Sequence, residues 1–277
     1  MTQTVPVAMS IAGSDCSAGA GIQADLKTFQ HFHVHGLTAI TCVVAETANI
    51  VRAVHPVPVA IVCDQISLLL DAFPVVAVKT GMLYSAAHVT AVAAILKNHR
   101  GLQLVVDPVM IASTGASLLE PAALAAYREW LLPMARVITP NLAEAEALLG
   151  ERITDEASLE GAARRLARQF GTAVLLKGGH LQGPACLDLL VDDGEVFRFT
   201  EERLEVGASH GTGCTLAAAI TAALAHGESL PRAVAQAKNF LGTTLRQCYE
   251  FPSPGGGTIH ALNQDTLLEK TTRDTRR

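Results

Sequence analysis

Short runs of Val, Ile, Leu and Ala alternate with amphipathic stretches along most of this chain, and that alternation constrains the fold more than any other feature. Residues 5–12, 37–45, 75–79, 102–106, 135–138 and 173–176 read as short buried strands. Residues 22–31, 58–73, 86–98, 121–132, 142–149 and 159–170 read as the helices between and after them. Residues 187–192 and 195–200 read as a hairpin around Asp193-Gly194, and further helices are predicted from Cys214 and from Leu230. Strands that alternate with helices imply βαβ units, right-handed crossovers and a mainly parallel central sheet flanked by helices.

Polar residues and glycines end the predicted strands: Gly13-Ser14-Asp15, Glu46, Lys79 with Gly81, Asp107, Asn141 with Glu144, and Lys177. In open α/β sheets ligands bind beyond that edge, so these residues are expected to line one cleft. Ser209-His210-Gly211-Thr212-Gly213-Cys214-Thr215 then runs directly into an alanine-rich helix former. The first N–H groups of a helix lack internal partners and suit an anion, and glycines let that anion approach the backbone. Phosphate chemistry is therefore expected here. Cys214 is predicted at the first helical position, where the helix field favours thiolate. It could act as a base toward an acceptor hydroxyl, or be a small buried hydrophobe.

Asp107 and Glu144 could be the carboxylate pair of a magnesium site, which uses few protein ligands. The competing reading is that Asn141 caps a helix and Glu144 completes the capping pattern. Lys177, followed by Gly178-Gly179, could pair with nucleotide phosphates or simply precede a turn. Gly13-Ser14-Asp15 with Gly19 and Gly21 could approach a small substrate closely, or form a long strand-to-helix turn. Neither a G-x-G-x-x-G in the first turn nor a Walker pattern is present, which excludes support for a nicotinamide fold or a P-loop. His31, His33 and His35 have no carboxylate or cysteine nearby in sequence and read as a solvated helix end.

At 277 residues, 49% hydrophobic and 17% charged, the chain can bury a sizeable core, and its scarce aromatics (4%) favour helices on a parallel sheet. A formal charge of −5 without a basic patch argues against nucleic-acid binding. Residues 1–7 lack a leader pattern, and no window has the roughly 18 uninterrupted apolar residues of a membrane span. Six scattered cysteines without a C-x-x-C pair argue against a zinc site or disulfide framework and for a reducing, cytoplasmic setting. There is no internal repeat. Residues 1–262 are expected to form a single domain, and residues 263–277 a polar, disordered tail.

Together the segments resemble the hydroxymethylpyrimidine/phosphomethylpyrimidine kinases of thiamine biosynthesis, within the ribokinase-like superfamily. The resemblance rests on Ile11-Ala12-Gly13-Ser14-Asp15 with residues 20–29, Lys79-Thr80-Gly81-Met82-Leu83 and Asp107-Pro108-Val109-Met110. Leu131-Leu132-Pro133, Ile138-Thr139-Pro140-Asn141 with Glu144-Ala145, Lys177-Gly178-Gly179-His180-Leu181 and residues 210–216 continue it in the family's order. The resemblance implies a three-layer ribokinase-like fold, a homodimer, and transfer of the ATP γ-phosphoryl group to a hydroxymethyl group, followed by a second transfer to the monophosphate. Carried over by position, Gly211, Thr212, Gly213 and Cys214 form the anion hole, with Cys214 as base. Lys177, Asn141, Asp107 and Thr212 contact the nucleotide, and Asp107 and Glu144 organise Mg2+. Gly13, Asp25, Glu46, Met82 and Val109 bind the aminopyrimidine alcohol.

The sequence departs from the family in three places. It has Asp15-Cys16-Ser17-Ala18-Gly19 where Asp-Pro-Ser-Gly-Gly is common, and Ala45-Glu46-Thr47 where Ala-Gln-Asn is common. A glutamine both donates and accepts, whereas an ionised glutamate only accepts. Glu46 could take an amino proton, or bind while protonated if burial raises its pKa. The C-terminal stretch from Pro254 to His260 matches the family's glycine- and histidine-rich end only loosely. The competing enzyme is a pyridoxal kinase of the same superfamily. A pyrimidine-binding regulatory protein without catalysis is the alternative from another class.

Overall fold

The computed structural model describes residues 5–110, 121–179, 181, 185–204, 210–254 and 256–265. β1 (Val7–Asp15) leads through α1 (Gly21–His31) to β2 (His35–Thr47), which turns back as β3 (Ile50–Pro56). α2 (Val59–Ala72), β4 (Val75–Thr80), α3 (Ala86–Leu96) and β5 (Gln103–Val106) follow. Next come α4 (Pro121–Ala126), β6 (Val137–Ile138), α5 (Leu142–Leu149), α6 (Glu156–Phe170) and β7 (Ala173–Lys177). The hairpin β8 (Ala185–Asp192) and β9 (Glu195–Glu202) precedes α7 (Thr212–Ala225) and α8 (Leu230–Arg246). β10 (Tyr249–Pro252) and β11 (Thr258–Ala261) form a small separate ribbon.

One sheet carries the strands in the order β3-β2-β1-β4-β5-β6-β7-β8-β9. From β2 to β7 every neighbouring pair is parallel, and β3, β8 and β9 join at the edges in antiparallel register. Alternate residues of the strands pack on opposite layers, as the period of a strand requires. Met9, Ile11 and Val78 join a core with Ile66 of α2, Val92 of α3, Leu148 of α5 and Leu166 of α6. Val105, Val137 and Leu175 face the other way, against Ile220 of α7 and Val234 of α8. Ala8 and Ala77 meet Phe29 of α1 and Ala218 of α7 on that same side. The result is a helix–sheet–helix sandwich of ribokinase-like type. Strand order reverses around β1, which has β2 on one side and β4 on the other, so a crevice opens at the C-terminal ends of β1 and β4.

The mainly parallel sheet and its flanking helices match the expectation from periodicity. The differences have physical causes. β3 was not legible because it is an edge strand with little buried surface; Ile50, for example, is 60% exposed, so no alternation is imposed on it. The helix predicted over residues 121–132 is α-helical only to Ala126, continues as a π-turn over Tyr127–Leu131 and ends in a 3₁₀ turn at Leu132–Met134, which contains Pro133. α7 begins at Thr212, so Cys214 is the third helical residue rather than the first. Of the Pro/Gly-rich stretch expected as a loop over residues 252–257, Pro252 ends β10 and residue 255 lies outside the described residues, while His260 lies in β11. The tail expected over residues 263–277 lies outside the described residues from position 266 onward, as do His180 and Ser209 of the matching motifs. Among the described residues no helix is long and apolar enough to cross a membrane.

Candidate active site

Gly211 caps α7 with φ 80°, a left-handed conformation that favours glycine. A Cβ there would collide with the backbone carbonyl of Gly19, so the turn before α7 and the loop after β1 are packed backbone to backbone. Thr215 N–H makes the first bond back to Gly211 O, at 2.9 Å. The N–H groups of Gly213 and Cys214 precede it and have no partner inside the helix, which is the arrangement that suits an anion.

The charged groups expected at the strand ends converge on that turn. Lys177 Nζ lies 3.1 Å from Asp107 Oδ1, which also accepts from Thr139 Oγ1 at 2.9 Å. A Cβ built on Gly213 would stand 3.4 Å from Lys177 Nζ and 3.6 Å from Asp107 Oδ2, so Gly213 marks the junction of anion turn, lysine and carboxylate. Burial works against the charge of Lys177, but Asp107 and Glu144 outweigh it and raise its pKa. The turn after Lys177 is braced from below: Asp188 Oδ1 accepts Gly178 N–H at 2.9 Å, and Lys238 Nζ lies 2.8 Å from its Oδ2.

Glu144 does cap its helix. Its Oε2 accepts Asn141 N–H at 2.8 Å and Asn141 Oδ1 accepts Glu144 N–H at 2.9 Å, a complete capping box at the start of α5. That does not exhaust it. Glu144 is 3% exposed, and burial, with Asp107 adding against the opposing Lys177, pushes its carboxyl up to about 7. Asp107 and Glu144 act on each other and on Lys177 electrostatically, and together they offer hard oxygen donors. This is the chemistry that a divalent cation such as Mg2+ would complete.

Gly13, Cys42 and Met82 meet near the ends of β1, β2 and β4. A Cβ on Gly13 would come within 2.9 Å of Cys42 Sγ and 3.8 Å of Met82 Sδ, so the backbone there leaves no room for a side chain. Thr41 Oγ1 fixes the Met82 carbonyl at 2.6 Å. Val109 is half-buried just after Asp107, with its N–H donating to Asp107 O at 2.8 Å. Glu46, Asp15 and His210 present side-chain atoms all within 4.8 Å of one another. Asp15 organises the loop after β1: its carboxylate accepts from Ser17, Gly19 and Ala20 N–H and from His210 Nε2. Burial alone would raise its pKa, but these bonds prevail and hold it at about 2.

Asp25 is placed differently from what the resemblance implies. Its carboxylate is entirely buried, with both oxygens on Lys79 Nζ at 2.9 and 2.8 Å and Ser10 Oγ donating to one of them. It has no exposed surface with which to meet a substrate. Burial opposes the charge of Lys79, and Asp25 overcomes it, holding the ammonium above the ordinary lysine range. This pair lies close enough to Cys214 to act on its thiol. The expected low thiol pKa is not found. Burial first, then Asp25 and Asp107, push the thiol up to about 11 against the opposing pull of Lys79. The helix field is outweighed by desolvation of the half-buried thiol together with the nearby Asp25 and Asp107 carboxyls.

Several site residues escaped the sequence. The Lys79–Asp25 pair spans 54 positions, so no local spacing announces it. Tyr127, buried by the π-turn, donates to the Gly81 carbonyl at the cleft floor at 3.2 Å. His210 sits in the glycine-rich stretch, but its bond to Asp15 requires the fold. The histidines at 31, 33 and 35 do not converge: His31 stacks on Phe240 with ring centres 4.3 Å apart, and His35 on Phe73 at 5.8 Å.

The family model described as phosphomethylpyrimidine kinase matches residues 15–258. A hydroxymethylpyrimidine/phosphomethylpyrimidine kinase of Rhizobium meliloti is 44% identical over 260 residues, covering 93% of this chain and 97% of that protein. The thiamine biosynthesis bifunctional protein ThiED of Geobacter sulfurreducens is 41% identical over 262 residues, and this chain spans 54% of its length, about half. Among solved structures, a pyridoxal kinase from Staphylococcus aureus in complex with pyridoxal superposes with a TM-score of 0.86 at 31% identity, covering 96% of each chain. With a family model matched over most of its length and a relative 44% identical over nearly all of both chains, the chain belongs to the phosphomethylpyrimidine kinase family.

Proposed function

We propose that this protein transfers the γ-phosphoryl group of ATP to the hydroxymethyl group of 4-amino-5-hydroxymethyl-2-methylpyrimidine, and a second phosphoryl group to the resulting monophosphate, in thiamine diphosphate synthesis. The observation that carries this reading is the position of Gly213 in the turn that opens α7, with Lys177 Nζ and Asp107 Oδ2 3.4 and 3.6 Å from where its Cβ would stand.

In this reading the N–H groups from Gly211 to Cys214 bind the transferring phosphoryl oxygens, and Lys177 supplies a point charge to the nucleotide phosphates. Asn141 and Thr212 complete the nucleotide contacts. Asp107 and Glu144 would hold Mg2+, directly or through water, and the ion would neutralise phosphate charge. Gly13, Met82, Val109 and Glu46 shape and read the acceptor ring, while Asp25 supports the floor through Lys79. Such catalysis depends mainly on positioning and charge stabilisation. With its thiol near 11, Cys214 holds the acceptor hydroxyl as a hydrogen-bond partner, and the minor thiolate form takes the hydroxyl proton. Residues 1–262 act as a single domain, in a homodimer, and the six free cysteines suit a cytoplasmic setting.

Pyridoxal is the competing acceptor, favoured by the close structural likeness to a pyridoxal kinase and by Glu46 in place of glutamine. Product analysis with the pyrimidine alcohol, ATP and magnesium tests the proposal. The monophosphate followed by the diphosphate is expected, together with loss of both on chelation of magnesium. ADP release absent with every alcohol would leave a binding protein instead.

A further inference from the structure

Glu46 lies one residue before the end of β2, half-buried beside Asp15 and His210, with its backbone clasped by Cys16: the thiol donates to Glu46 O at 3.2 Å and accepts Glu46 N–H at 3.3 Å. Cys16 stands where proline is common in the family, so this clasp and the glutamate occur together here. Among the described residues the Glu46 carboxyl receives no hydrogen bond and forms no ion pair, although Asp15 and His210 lie within 4.8 Å. The groups that face it are Asp15 from the end of β1, His210 from the turn before α7, and Cys42 from β2, whose own thiol is raised partly by the Glu46 charge. Arg52 on β3 follows Val51, the register partner of Glu46, and makes no ion pair with it. Burial and Asp15 make Glu46 reluctant to ionise, with His210 opposing.

Resting on the pyrimidine reading above, we infer that Glu46 and the acceptor ring are joined by one shared proton, so that an aminopyrimidine binds with net uptake of a proton from solvent. The amino group and adjacent ring nitrogen of such a pyrimidine present one donor and one acceptor. An ionised carboxylate offers only acceptors, so the ring nitrogen lone pair would face a carboxylate oxygen. A single proton between them turns that repulsion into a second hydrogen bond. Held by Glu46, it makes a neutral pair; held by the ring nitrogen, it makes a charge-assisted fork of amidinium on carboxylate. Glutamine supplies the same donor and acceptor without a proton, so the proton requirement belongs to this glutamate.

The test is titration calorimetry of the wild type and Glu46→Gln with the pyrimidine alcohol, at about pH 8, in HEPES and in Tris, whose ionisation enthalpies differ. The buffer dependence of the heat gives protons taken up per binding event. Uptake approaching one in the wild type and near zero in Glu46→Gln is expected, with kcat/KM of the wild type alone falling about tenfold per pH unit under alkaline conditions. Binding and phosphorylation without proton uptake in the wild type would overturn this inference and leave the kinase reading intact. Equal uptake in both proteins would also overturn it, by assigning the proton to another group. Failure of the pyrimidine to bind or turn over would sink both.

Discussion

Asp15 and His210 stand 195 positions apart in sequence and 2.9 Å apart in the fold, carboxylate Oδ2 to ring Nε2. Their bond latches the loop that follows β1 onto the turn that opens α7. Both side chains are largely buried, at 1% and 10% exposure, so the contact is little screened by solvent.

The latch should give a pH-dependent stability. Asp15 is held at about 2 against an ordinary 3.8, so its contribution is present above 3.8 and is lost as pH falls toward 2. His210 is raised above 6.5, burial being outweighed by Asp15, so its contribution is present below 6.5 and is lost as pH rises through the raised value. Asp15→Asn should cost about 2 kcal/mol between roughly pH 4 and 6.5 and less on either side. Urea unfolding across pH checks this; a gap that does not vary with pH would contradict it.

Gly211 should tolerate no side chain. Its φ of 80° disfavours alanine, and the new Cβ would meet the Gly19 carbonyl. Gly101, with φ 92° and open space around its Cβ, carries the backbone penalty alone. Gly101→Ala should therefore cost about 1 kcal/mol, while Gly211→Ala should cost more and lower kcat. Paired thermal melts and steady-state rates give the comparison.

The buried Lys79–Asp25 pair should be expensive to break on one side only. Lys79→Met leaves an unpaired buried carboxylate and should lose about 3–5 kcal/mol. Lys79→Met combined with Asp25→Asn should recover part of that loss. Chemical denaturation of the single and double variants measures the recovery, and strict additivity would show that the two do not act as a pair.

Cys214 should behave as a protonated thiol in the free enzyme. Its alkylation by iodoacetamide should be slow near neutral pH and rise toward the thiol value of about 11. Cys214→Ala should lower kcat by roughly 10²-fold or more. Near-normal turnover in that variant would leave phosphate binding to the glycines and backbone, and remove the thiol from the chemistry.

The sequence made the sheet legible because burial imposes a period on interior strands: Val75–Thr80 and Ala173–Lys177 were predicted almost to the residue. β3, exposed along most of its length, carries no such imprint. The strand-end rule brought Asp107, Glu144, Lys177 and Gly13 to one cleft without any structure. It could not reveal Lys79 on Asp25, His210 on Asp15 or Tyr127 on Gly81, since these pairings depend on which helices cross over which strands. Nor could it give the Cys214 pKa, because helix position is visible in sequence and burial of one sulfur is not.

The central claim is that the pocket of Gly13, Glu46 and Met82 presents an aminopyrimidine alcohol to a phosphoryl group held at Gly211–Cys214. Steady-state kcat/KM for 4-amino-5-hydroxymethyl-2-methylpyrimidine and for pyridoxal, measured side by side with ATP and magnesium, tests it most directly. Preferential phosphorylation of the pyrimidine is the predicted result; preferential turnover of pyridoxal would contradict it.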